Sequence, residues 1–334
     1  MFQVISLHIL LFHKVRVLLL LRIPKILHNI YIKHNMTSNT EIILVNLNNH
    51  QSYIIDNIKN LLLFNNTNIT VITNKELFIE FEPIKEKIKL IDEKELDLSY
   101  FDERNKQNTS FRNGFWPLTS RRLFCVYEYI KKYNVEKCFH LENDTMVYTD
   151  LSKMVEKLDN KLYITLDAPN RCIAGIMFIP RFFNMVPLIE NYQYNKNDML
   201  NLVRFYIKNK TFCETFPIIK SNKNFTSETD ELSKNYSLFK GIFDAAAIGQ
   251  YLGGVDPRNK RNDSRGFVNE TCKVNYSKYE YKWIKQEKDS IYVPHVKIDE
   301  EYIPIFNLHI HCKRLENFMG DNPIEKKFIS IYDN

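Results

Sequence analysis

Phe139-His140-Leu141-Glu142-Asn143-Asp144-Thr145-Met146-Val147-Tyr148 is the stretch on which the reading of this chain turns. Upstream of it, Val135 to Leu141 has the apolar character of a buried strand, and that strand ends abruptly on two carboxylates. In an open α/β sheet, ligands bind in the crevice beyond the carboxyl ends of the strands. Side chains two apart on an extended segment project to the same side, so Glu142 and Asp144 can face one hard cation while Asn143 faces away. Magnesium or manganese held by one or two carboxylates and completed by substrate oxygens is the usual arrangement in enzymes that handle diphosphates. A polar turn after a core strand would present the same three residues, so the surroundings have to decide.

Composition narrows the alternatives. A chain of 334 residues with 44% hydrophobic and 13% aromatic content can bury a large core and fits one α/β domain better than two small ones. Only 8 glycines are present, and neither the Walker pattern nor Gly-x-Gly-x-x-Gly occurs, so a cradle of backbone amides for phosphate is not expected. A metal with cationic side chains would have to do that work. The net charge of +6 comes from scattered Lys and Arg, which argues against nucleic acid as a partner. The 6 cysteines form no Cys-x-x-Cys pair, and thiols such as Cys138 in an apolar strand read as buried and reduced.

Working outward, Glu41 to Leu47 reads as a buried parallel strand, Tyr53 to Leu63 as a helix, and Asn68 to Thr73 as a second strand. Lys75 to Glu80 reads as a short helix and Lys87 to Ile91 as a third strand. Leu123 to Tyr133 has helical spacing with Ser120 as a plausible cap, which sets Arg121 and Arg122 against the positive end of the helix dipole and calls for an anionic partner. Lys161 to Leu166 is a strand, and 167–180 is expected as a loop entering another. Asp244 opens a helix, a position that capping alone would explain. On an extended segment His309, His311 and Lys313 would alternate onto one face, which favours a polar site with an imidazole as a further metal ligand, His309 first and His311 second. Residues 1–35 are hydrophobic and basic without an uninterrupted spanning run. They could lie on a membrane or pack as an extra helix, with Met36 as an alternative start, so the protein is expected to be cytoplasmic or membrane-associated. The main domain is expected over 36–320 and a tail over 321–334.

From roughly Glu41 to Phe318 the chain resembles the GT-A glycosyltransferases, whose metal site is an Asp-x-Asp motif after a hydrophobic strand; here it stands as Glu142-Asn143-Asp144. The resemblance implies a Rossmann-like, mixed but mostly parallel sheet flanked by helices, and Mn2+ or Mg2+ held by Asp144 and Glu142 with His309. It further implies Asn46 and Asn48 near the base and ribose, Arg122 and Gly175 near the donor sugar, and Lys313 on the diphosphate. Asp244 would be the acceptor contact or general base, with Asp256 a weaker choice. Two departures are visible: Ile173-Ala174-Gly175 replaces Asn-Ala-Gly, and Ala246 stands where a second acid is found. The activity implied is metal-dependent transfer of a sugar from a nucleoside-diphosphate sugar, such as a UDP-sugar, to a hydroxyl of a glycan or protein. A sugar-phosphate nucleotidyltransferase would share the fold but should carry a glycine-rich basic signature near the first strand, and an inactive binding protein should have lost the site. Residues 259–290, with Arg261, Arg265 and Trp283, are expected as a loop on the acceptor side.

Overall fold

Ile42–Asn46 forms strand β1 with every residue buried, as a central strand covered on both faces requires. In this computed structural model, which describes residues 40–221, 227–259, 265–286 and 290–323, β2 (Ile69–Thr73) and β3 (Lys89–Asp92) lie parallel to β1 on one side. β4 (Cys138–Leu141) lies parallel to it on the other. Beyond β4 come β7 (Arg171–Ile179), β6 (Leu162–Ala168) and β8 (Cys213–Phe216), completing a seven-stranded sheet ordered β3-β2-β1-β4-β7-β6-β8. β7 is antiparallel to both neighbours and the remaining pairs are parallel, so the sheet is the mixed, mostly parallel α/β sheet expected from the sequence. The chain runs outward from β1 to β3 and then returns to place β4 on the opposite side of β1. The strand order therefore reverses between β1 and β4, and the crevice above their carboxyl ends is the switch point where α/β folds bind ligands.

Helix α1 (Ile54–Leu63) buries Ile54, Ile58 and Leu61 at helical spacing, but its buried face also carries Asn57 and Asn60. These amides pin the segment after β4. Asn57 Nδ2 donates to Asn143 O at 3.0 Å and Asn60 Nδ2 to Val147 O at 2.8 Å. Helix α2 runs Phe115–Tyr133, so it begins at Phe115 and not at Leu123 as the sequence reading expects. Pro117 is tolerated because the first-turn amides have no intrahelical acceptor anyway. Ser120 is then a buried interior residue bonded by Gln107, not a cap, and the dipole argument for Arg121 and Arg122 lapses.

Three further differences follow from tertiary packing. Residues 75–87 form an extended 3₁₀ segment interrupted by Pro83. The expected loop over 167–180 is a tight hairpin between β6 and β7, with Gly175 inside a strand. Part of the expected acceptor-side loop is β9 (Glu280–Lys285), which joins β10 (Tyr292–Ile298) and β11 (Glu301–Pro304) in an antiparallel sheet. Trp283 is buried there, edge-on to Tyr148 at 5.2 Å, and is a packing residue. A two-stranded ribbon of β5 (Thr145–Val147) and β12 (Asn307–His309) brings the distal part of the chain beside the motif. All six cysteines are free and five are buried. Residues 1–35, Met36, Arg261 and the tail from 324 onward lie outside the described residues. Among the described residues, no helix is long and apolar enough to cross a membrane.

Candidate active site

The ribbon settles where the distal histidines sit. Thr145 pairs with His309 across β5 and β12, and Ile310 N donates to Asp144 O at 2.8 Å, so backbone register alone sets His309 beside the carboxylates. β12 ends at His309, and the chain then turns, with Lys313 in the left-handed region at φ 62°. His309, His311 and Lys313 therefore converge through a turn and not through alternation on one strand face. The two imidazole rings stand edge to face with centroids 4.4 Å apart.

His309 Nε2 lies 2.9 Å from Glu142 Oε2 and 3.1 Å from Asp144 Oδ1. Lys313 Nζ pairs with the other oxygen of Asp144, and Arg122 with the other oxygen of Glu142. Ligand atoms of Asp144, His309 and His311 lie within 4.8 Å of one another, a spacing suited to one divalent cation. Glu142 lies beside that trio, tied between Arg122 and His309. Burial by itself would lower the pKa of His309, yet the two carboxylates raise it to about 10. Burial and the neighbouring His309 charge push His311 down to about 3. Burial opposes ionisation of Glu142 and Asp144, but Arg122 and Lys313 respectively, with His309, hold both well below the usual carboxylate range. The cluster thus carries a full set of charges paired among themselves. A divalent ion with neutral imidazole ligands would replace the His309 proton and the Lys313 contact as counter-charge to the two carboxylates.

Two glycines make the packing close enough. A Cβ on Gly175 would sit 3.0 Å from His309 Nδ1 and 3.3 Å from Thr145 Oγ1, so this glycine seats the histidine ring. A Cβ on Gly249, in the short helix α4 (Ile248–Gly253), would lie 2.1 Å from His309 O. Asp244 is fully buried. Its Oδ1 accepts from the amides of Ala247 and Ile248, each at 2.8 Å, and its Oδ2 from Gly249 at 2.8 Å and His309 at 2.9 Å. Four backbone donors occupy both oxygens, which corrects the expected catalytic role: Asp244 fixes α4 to β12 and has no oxygen free for an acceptor.

The remaining expected residues take these places. Asn46 ends β1 at the switch point, fully buried, with neither side-chain atom hydrogen-bonded. Asn48 is an exposed turn residue at φ 66°, held by Asn74 Oδ1 through its backbone amide. Arg122 is largely buried and bridges Glu142 and Asp198, the latter at 3.1 Å. Asn143 does not face away from everything; its Nδ2 donates to Val45 O and Gln51 Oε1, both at 2.9 Å, locking the ends of β1 and β4 together.

Sequence reading missed a cationic rim. Asp256 pairs with Arg258 at 2.8 Å and Arg112 at 3.3 Å, and Arg112 also reaches Asn259. Tyr53 lies beside this group with Lys313 Nζ 5.2 Å from its ring centroid, and its hydroxyl donates to Gln51 Oε1 at 2.7 Å. Nothing in the spacing of Tyr53, Arg112, Asp198 and Arg258 announces that they meet; only the fold brings them to one crevice.

No protein-family model matches the chain, and no curated protein does either. Among solved structures, the apo-form glycosyltransferase GlyE of Streptococcus pneumoniae TIGR4 aligns at a TM-score of 0.35 and 17% identity, over 53% of this chain and 44% of that one. The chain thus spans less than half the length of that enzyme. The PaToxG glycosyltransferase aligns at a TM-score of 0.36 and 9% identity, over 60% of this chain and 86% of that one. A putative glucose-1-phosphate thymidylyltransferase from Bacillus anthracis aligns at 0.34 and 8% identity, over 58% and 94%. At such scores these likenesses carry no functional argument.

Proposed function

We propose that this protein is a divalent-metal-dependent glycosyltransferase that takes a sugar from a nucleoside-diphosphate sugar to a hydroxyl acceptor. The observation that carries the proposal is the meeting of Asp144 with His309 and His311, the first of them 165 residues further along the sequence, at the switch point between β1 and β4. A carboxylate and two imidazoles form a mixed oxygen and nitrogen set that suits manganese and accepts magnesium less readily. When bound, such an ion supplies positive charge that stabilises a departing diphosphate.

The chain's own residues do the rest. Lys313 and Arg258 stand beside the trio as donors for phosphate oxygens, and the turn that carries Lys313 is anchored by Ile310 N on Asp144 O. Arg122, paired with Glu142 and Asp198, holds Glu142 toward His309 and so orients the imidazole. Asp244 fixes the His309 backbone from below. Asn46 offers unpaired amide groups at the end of β1 for a base or ribose.

The test is a screen of nucleoside-diphosphate sugars with and without Mn2+, following release of nucleoside diphosphate and, separately, of pyrophosphate. Metal-dependent release of nucleoside diphosphate is the expected result. Pyrophosphate release from a nucleoside triphosphate and a sugar phosphate would instead make the protein a nucleotidyltransferase. Calorimetry with Mn2+ alone adds a readout independent of turnover: one site is expected, lost in Asp144→Ala.

A further inference from the structure

Helix α3 (Asp198–Lys208) packs its inner face, Leu202, Val203, Phe205 and Tyr206, into the core. Its outward positions should then be polar. They are not: Leu200 is 46% exposed and Ile207 56%, and Phe212, just past the helix end, is 52% exposed. Single exposed apolar residues are ordinary, but three within one short stretch of surface form a patch. Leu200, Val203 and Ile207 line a groove of about 380 Å³ whose other lining residues include Lys196, Arg204 and Lys208 and no carboxylate. Among the described residues no acid pairs with these three cations, and Arg204 Nη1 is buried without a hydrogen-bond partner. Glu231, on a neighbouring segment, is occupied by Lys210 at 2.6 Å and by Tyr206.

An apolar strip bordered by uncompensated cations matches a surface that is anionic outside and apolar beneath. We propose that the outer face of α3 docks on a bilayer containing anionic lipid, with Leu200, Ile207 and Phe212 entering the interface and Lys196, Arg204 and Lys208 meeting the headgroups. An acidic protein partner would set its carboxylates against Leu200 and Ile207 as well as the cations, whereas a bilayer separates anionic headgroups from the apolar layer beneath them. The patch lies on the outward face of α3, whose buried first residue, Asp198, pairs with Arg122 in the crevice; the lipid contact does not depend on the reaction assigned there.

Cosedimentation of the full chain with vesicles tests the proposal, using phosphatidylcholine alone and phosphatidylcholine with about a third phosphatidylglycerol. Binding is expected only to the anionic vesicles. Replacing Lys196, Arg204 and Lys208 together by Ala should weaken it on the order of a hundredfold, about fivefold for each cation near the surface. Leu200→Ser with Ile207→Ser should weaken it further, with the unfolding midpoint unchanged because these positions are exposed. Equal binding to both vesicle types, no binding to either, or undiminished binding by the triple variant would overturn the proposal; the last result would place the lipid contact elsewhere in the chain. Concentration-dependent self-association without lipid that Ile207→Asp abolishes would assign the face to a second copy, and would overturn it equally.

Discussion

Asp144 has a cationic partner on each oxygen: Lys313 on one and His309 Nε2 on the other at 3.1 Å. Asp144→Asn keeps the shape and removes the charge both partners use. Manganese affinity measured by calorimetry should fall about a hundredfold, and transfer at least as much. The unfolding midpoint should barely move, because Lys313 is partly exposed and can be solvated when its partner is gone. His309→Ala and His311→Ala should each weaken manganese binding, His309 the more because it also holds Glu142. Unchanged manganese affinity in Asp144→Asn would remove the metal site from the account altogether.

The elements that frame this site were legible in the sequence to different degrees. β1, β2 and β4 are short apolar runs ended by polar residues, and their shortness and polar flanks favour strand over helix. The start of α2 was hidden because Gly114 and Pro117 look like loop residues, though each is compatible with a first turn. His309 was legible as a candidate ligand by residue type, but the turn that brings in Lys313 was not, since positive φ at a lysine leaves no mark in the sequence. Gly175 has a packing role that its residue type did not announce: it makes room for the His309 ring. Gly175→Ala should therefore lower manganese affinity and cost about 1–3 kcal/mol of stability by overpacking, both measurable without substrate. Asp244 gives the companion prediction. Asp244→Ala should destabilise the fold by roughly 2–4 kcal/mol, since it removes a cap and strands buried amides of α4 and β12. A variant that folds as stably as the parent yet fails to turn over would restore Asp244 to the chemistry.

At the scale of the whole molecule, one buried charge makes stability depend on pH. Asp167, at the end of β6, is fully buried, and its carboxylate lies 2.6 Å from Arg171. Burial raises its pKa to about 6, with Arg171 opposing only in part. An unfolded aspartate titrates near its ordinary value of about 4, so between the two values the folded state binds the proton more tightly. The sign follows directly: this group favours folding when protonated, and its contribution is lost as pH rises from about 4 through about 6. Two pKa units correspond to about 3 kcal/mol, an upper figure because Arg171 is partly open to water. Asp167→Asn imitates the protonated form at every pH. The variant should match the parent near pH 4 and exceed it by up to about 3 kcal/mol at pH 8, with the difference opening between those limits. Urea unfolding of both proteins across that range reads the difference. A constant offset would mean that Asp167 keeps its ordinary pKa and that Arg171 fully compensates its burial.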